Sequence, residues 1–196
     1  MKYPRLLLYI MLTLPIVCLA ELKDENLLQN LPQGYKVDYQ TQQGSVMLTE
    51  MVPQAESVNN WTEMLTTQVY LGAKNISHEL FQVEMGKGWL AACKNGEIAT
   101  IKNGVENGYA FLMWVQMCPL NPATGKPENT LFKAIKGNDS YYVVQKAFKF
   151  EPTNEQIARW TLYLRTVGVC DSRLTDRACP KYDTVKEAPV SVPAPL

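Results

Sequence analysis

The sequence predicts an α+β fold, an antiparallel sheet of about five or six strands with two to three helices packed on one face. Three observations predict it. Segments of alternating or β-rich residues stand on both sides of two stretches with helical spacing. Turn pairs such as Asn95-Gly96, Asn103-Gly104 and Asn107-Gly108 punctuate them. Tight connections such as Lys136-Gly137-Asn138-Asp139 suit hairpins rather than long crossovers.

Residues 21–32 form a short lead-in, with a helical turn ending before Pro32. Tyr35 to Gln40 alternates apolar and polar, the period of a half-buried strand. Gln42-Gln43-Gly44 turns the chain, and Ser45 to Val52 pairs back until Pro53 stops it. Ser57 caps an expected helix to about Tyr70, with Val58, Trp61, Leu65 and Val69 on one face. A second helix starts at Asn75 or Ser77, with Ile76, Leu80 and Val83 in register and Glu79 in its first turn. Gly86 and Gly88 are expected to bend or interrupt it.

Four further strands are expected over 98–102, 109–118, 130–135 and 141–150. Between two of them, Pro119 to Pro127 holds three prolines and a glycine and reads as an ordered or extended loop. Thr153 and Gln156 form a capping box for a last helix to about Val167, with Ile157, Trp160, Leu164 and Val167 facing inward. The segment 181–196 is rich in proline and valine and reads as a disordered tail.

The N-terminus reads as a secretory signal peptide. Lys2 and Arg5 form a positive start, Leu6 to Val17 is uncharged and mostly apolar, and Cys18-Leu19-Ala20 offers a cleavage site after Ala20. At 1.5 Å per residue that run is too short for a bilayer core of roughly 30 Å. Lipidation of Cys18 is the rival reading, poorly served by the preceding Pro15-Ile16-Val17. The expected organisation is a signal peptide at 1–20, one domain at 21–180 and the tail. Without Lys2 and Arg5 the 19 basic side chains fall to 17 against 19 acidic, a net charge near −2. That balance gives no basic excess for nucleic acid, and no mature segment is apolar enough to span a membrane.

Export leaves Cys93, Cys118, Cys170 and Cys179, an even set in an oxidising space. Of three possible pairings, Cys93–Cys118 with Cys170–Cys179 closes the shortest loops and is favoured. A metal site is disfavoured because no C-x₂-C occurs and the lone histidine, His78, is not close in sequence to any cysteine.

No catalytic signature emerges. His78 reads as a capping or surface residue at a helix start. Glu79 and Glu84 do not share a helix face, Glu63 sits on an outer face, and Asp139 is explained by its turn. No phosphate loop or nucleophile elbow is present, and no cofactor is expected. The aromatic side chains of Trp61, Trp89, Tyr109, Phe111, Trp114, Tyr141, Tyr142 and Trp160 are mostly core. A few are expected to line a groove for a peptide, glycan or lipid, rimmed by the proline loop. The candidate surface is Trp114, Asn121, Lys126, Tyr141 and Tyr142.

Several pieces carry a resemblance. They are Met51-Val52-Pro53, Asn60-Trp61-Thr62-Glu63-Met64, Cys118 to Glu128, Phe132 to Asp139, and Val169-Cys170-Asp171-Ser172-Arg173. Together, over about residues 34–180, the chain resembles a group of exported proteobacterial proteins of unknown function. The resemblance implies export and carries no catalytic residue. The element order is also similar to the PsbP/Mog1-like sandwich, where helices cover a central antiparallel sheet; that likeness implies fold alone. The expectation is a non-enzymatic periplasmic or secreted binding protein. The alternatives are a secreted enzyme of unfamiliar mechanism and an envelope or secretion-linked factor working through a protein partner.

Overall fold

The computed structural model describes residues 23–181. The expected signal peptide and, beyond Lys181, the expected tail lie outside them. The order is β1 (Glu25–Leu28), β2 (Tyr35–Gln43), β3 (Val46–Pro53), β4 (Glu63–Leu71), α1 (His78–Ala92), β5 (Glu97–Glu106), β6 (Tyr109–Asn121), β7 (Lys126–Lys136), β8 (Ser140–Phe148), α2 (Asn154–Thr166) and β9 (Gly168–Asp171). Seven strands form one antiparallel sheet in the order β2-β3-β4-β8-β7-β6-β5, and β1 pairs with β9 in a separate two-stranded ribbon. The sheet is therefore larger than the expected five or six strands.

The two helices lie on opposite faces, not on one. Leu112, Trp114, Phe132, Ala134, Tyr141 and Val143 form a core with Phe81 and Met85 of α1. Their strand neighbours Phe111, Met113, Leu131, Tyr142 and Val144 point the other way and pack against Trp160 and Leu164 of α2. This follows from the pleat, which sends successive side chains to opposite faces. β7 and β8 are buried along nearly their whole length because both faces are covered.

The expected helix over 57–70 is instead a turn followed by β4. Met64, Leu65, Thr66 and Thr67 are buried in succession. A strand covered on both sides reads that way, and its β-branched residues fit. The lead-in is β1 rather than a helical turn. The proline segment is mostly strand: β6 runs to Asn121, β7 begins at Lys126, and Asn121 pairs with Lys126. Pro119 and Leu120 fall in a bulge between Cys118 and Asn121, where proline's missing N–H costs no ladder bond.

α1 begins where Ser77 accepts a hydrogen bond from the Leu80 N–H. It runs unbroken through Gly86 and Gly88. Gly86 lets the helix lie on β5, since a Cβ there would stand 2.5 Å from Cδ1 of Ile98. Its inward residues are Phe81 and Met85, whereas Leu80 and Val83 face out, 59% and 51% exposed. α2 has the expected capping box and buries Trp160 and Leu164.

Both disulfides pair as expected, Cys93–Cys118 and Cys170–Cys179. They close sequence separations of 25 and 9 residues, worth about 3.5 and 2.7 kcal/mol on the chain-entropy model. Among the described residues no helix is long and apolar enough to cross a membrane.

Candidate functional site

A cleft of about 280 Å³ opens beside the sheet's β2 edge, on the face α2 occupies. Its floor is Thr49, Met51 and Thr67, which point to one side from β3 and β4. Val37 of β2 and Leu31 form an apolar rim, 46% and 51% exposed. Its wall is the segment leaving β1. Thr67 Oγ1 donates to Gln29 Oε1 at 2.6 Å, Gln29 Nε2 donates to the Tyr163 hydroxyl at 3.2 Å, and that hydroxyl donates to the Asn30 carbonyl at 2.6 Å. Burial pushes the Tyr163 hydroxyl up to about 12, so it stays a donor at any physiological pH. The cleft offers a floor of one methionine and two threonines, an amide wall and, along β2, a strand edge that among the described residues pairs with no further strand. An extended chain laid on that edge can place one side chain in the cleft.

Deeper under α2 lie two buried lysines. Lys146 Nζ donates to Glu63 Oε2 at 2.7 Å and to the Tyr35 hydroxyl at 2.6 Å, and Tyr35 donates to the same Glu63 oxygen. The rings of Tyr35, Phe148 and Trp160 surround the ammonium, Trp160 at 4.0 Å. Burial pulls Lys146 down to about 8 against the opposing pull of Glu63. Lys133 Nζ donates to Glu106 Oε2 at 2.6 Å and to the Val167 carbonyl at 2.7 Å, just past the C-terminal end of α2, where a cation is favoured. Burial lowers its pKa also. Both lysine side chains are sealed from solvent and neither opens into the cleft. Glu63, expected on an outer helix face, is thus half of a buried ion pair on β4.

His78 is not a surface residue. It is half-buried, its Nδ1 lies 2.8 Å from the Tyr141 hydroxyl, and burial lowers its pKa. Ser77, not His78, caps the helix.

The five residues expected to form a binding surface do not meet. Trp114 and Tyr141 are fully buried under α1. Tyr142 is buried on the opposite face, where its hydroxyl donates to Glu25. Asn121 and Lys126 face each other at the end of the β6–β7 hairpin, and the Asn121 amide donates to Glu128 at 2.6 Å. The three aromatic rings therefore serve the cores. Sequence pattern does not bring the cleft residues together because they come from four separate segments, none with its own motif. The available signal was the half-exposed alternation in β2, with Val37 among polar neighbours.

No known family's model matches the chain, and no curated protein does. Two solved structures are similar in outline. One is the Ran-binding protein Mog1p of Saccharomyces cerevisiae, at 11% identity and a TM-score of 0.40, with 72% of this chain and 84% of that one covered. The other is a point mutant of protein Mog1, also at 11% identity and a TM-score of 0.40, with 71% of this chain and 84% of that one covered.

Proposed function

We propose that the protein is a non-enzymatic binding protein of the periplasm or extracellular space, exported by its signal peptide, that takes an extended peptide segment along β2. The observation that carries this reading is the open cleft rimmed by Leu31 and Val37 beside that strand edge. The two disulfides support an oxidising compartment, and the sequence resemblance to exported proteobacterial proteins supports export. The convergent polar groups with displaced pKa values, around Lys146, are shut beneath Trp160 rather than presented to a ligand.

One observation favours a second reading, action through a protein partner on the other side of the molecule. Leu80, Val83 and Leu90 stand 59%, 51% and 51% exposed on the outside of α1.

The test is thermal melting of the mature protein with extended peptides, glycans and envelope lipids in parallel. Peptides are expected to raise the melting temperature by a few degrees. Val37→Asp should remove that gain while changing stability by less than about 0.5 kcal/mol, because the side chain is half exposed. A flat response to every peptide, or an undiminished response in Val37→Asp, sinks the reading.

A further inference from the structure

Glu25 of β1 sits in a setting built for a carboxylate. Its two oxygens accept from the backbone N–H groups of Asn138 at 2.6 Å, Asp139 at 3.1 Å and Ser140 at 3.2 Å, and from the Tyr142 hydroxyl at 3.0 Å. Three successive N–H groups aimed at one point form an anion nest. The β7–β8 hairpin closes without them, through the Gly137 N–H to the Ser140 carbonyl at 2.9 Å. Gly137 leaves room for the occupant, since a Cβ there would overlap the Glu25 carboxylate.

The segment that delivers this carboxylate is short and joins one strand, with Asp24 also bonded to Ser172. β1 has four residues, each only partly buried, and it pairs with β9 alone. A two-stranded ribbon of that length is marginal by itself. β9 is secured without it, by Val169 in the core and by the Cys170–Cys179 disulfide. Beyond Glu25 the segment keeps its extended path. Leu27 packs on the α2-side core, and Gln29 bonds Thr67 and Tyr163 at the cleft wall. Residues 25–31 thus lie on the protein as a bound peptide would, with an acid, an apolar side chain two residues on and an amide four residues on.

We infer that the groove from the β7–β8 turn along β9 to the cleft is a peptide site filled in cis by β1. In trans it takes an extended peptide of the pattern Glu-x-Leu-x-Gln, with the glutamate carboxylate in the nest. The inference goes beyond the cleft reading: Leu27, Gln29, Asn30 and Leu31 line the cleft, so a peptide in this groove takes the place of that wall rather than lying along β2.

The experiment uses the full mature chain carrying Glu25→Ala, with the amide resonances of Asn138, Asp139 and Ser140 as the readout. Sodium acetate should shift all three saturably in Glu25→Ala. It should leave them unmoved in the wild type, and chloride at equal ionic strength should do nothing in either. A labelled peptide with the sequence of residues 23–31 should bind Glu25→Ala/Leu27→Asp about tenfold more tightly than its Glu-to-Ala counterpart, and bind the wild type about tenfold more weakly. If the double variant loses its dispersed spectrum, the same peptide pair is titrated into Glu25→Ala, where the same preference for the glutamate peptide is expected and its absence overturns the groove. Equal acetate responses in wild type and Glu25→Ala overturn the nest, and saturable acetate without peptide binding overturns the groove. Peptides whose stabilisation depends on Val37 but leaves the three amides unmoved overturn this inference while the cleft reading stands.

Discussion

Both faces of the sheet bury aromatic side chains, but among the described residues only the α2 face also buries lysines. Under α1 the interior is aromatic: Trp114 stacks on Phe132 with ring centroids 4.5 Å apart and planes 2° from parallel, and Phe81 and Tyr141 close around them. Under α2 two lysines are buried completely, each against a carboxylate. An aromatic core gains from every area removed from water. A buried ion pair recovers in attraction roughly what it lost in hydration, so its net worth is small while the cost of breaking it is large. The α1 face should therefore respond to lost volume, and the α2 face to lost pairing and to pH.

The largest expected effect is on the aromatic side. Trp114→Ala should destabilise the protein by about 4 kcal/mol, measured by urea unfolding, because a wholly buried ring is removed from between two layers. Trp114→Phe should cost far less, since among the described residues the indole Nε1 has no hydrogen-bond partner to lose. Equal losses for the two would mean that the stacked ring does not carry the α1 core.

Next comes the ionic side, where single and double changes part company. Lys146→Met should cost about 3 kcal/mol, since among the described residues Glu63 then keeps only Tyr35 as a side-chain partner in a mostly buried site. Lys146→Met with Glu63→Leu should return to within about 1 kcal/mol of the wild type. Additive losses in a double-mutant cycle would show that the pair is not a unit and would erase the contrast between the faces.

Features held by local chemistry were legible in the sequence. α2 was readable because Thr153 and Gln156 cap it and its inward residues recur at helical spacing within one segment. The disulfides were readable because short loops and an even cysteine count leave few choices. Features made by distant segments were not. β1 finds its partner in β9, with Asn26 opposite Cys170, and nothing in residues 25–28 announces that. β4 was misread because Leu65 and Val69 satisfy helical spacing while lying on the α2 side of a strand. The apolar stripe Leu80–Val83 points outward because α1 carries apolar residues on both faces, Phe81 and Met85 inward and Leu80 and Val83 outward, so periodicity cannot choose its buried face. The buried lysines did leave a trace: Lys146 occupies the inward parity of Tyr142, Val144 and Phe148, a charge where the strand's pattern demands an apolar residue.

The smallest of these effects is the pH dependence, and only the α2 face should give a rise of stability with pH above neutrality. Lys146 titrates near 8 in the folded protein against its ordinary 10.5, because burial disfavours its charge. Below pH 8 it is charged in both folded and unfolded chains and contributes no slope. Between 8 and 10.5 the unfolded chain holds the proton that the folded protein has released, so stability rises with pH, by on the order of 2 kcal/mol. Lys133, also lowered, adds in the same direction. Above about pH 10 the sign reverses, because burial raises Tyr35, Tyr141, Tyr142 and Tyr163 and the unfolded chain then ionises first. Urea midpoints measured at unit steps from pH 7 to 11 should pass through a maximum near pH 10, and Lys146→Met should flatten most of the rise. A Lys146→Met protein that kept the whole rise would assign the released proton to Lys133 beside Glu106, and the cage of Tyr35, Phe148 and Trp160 would then hold a lysine with an ordinary pKa.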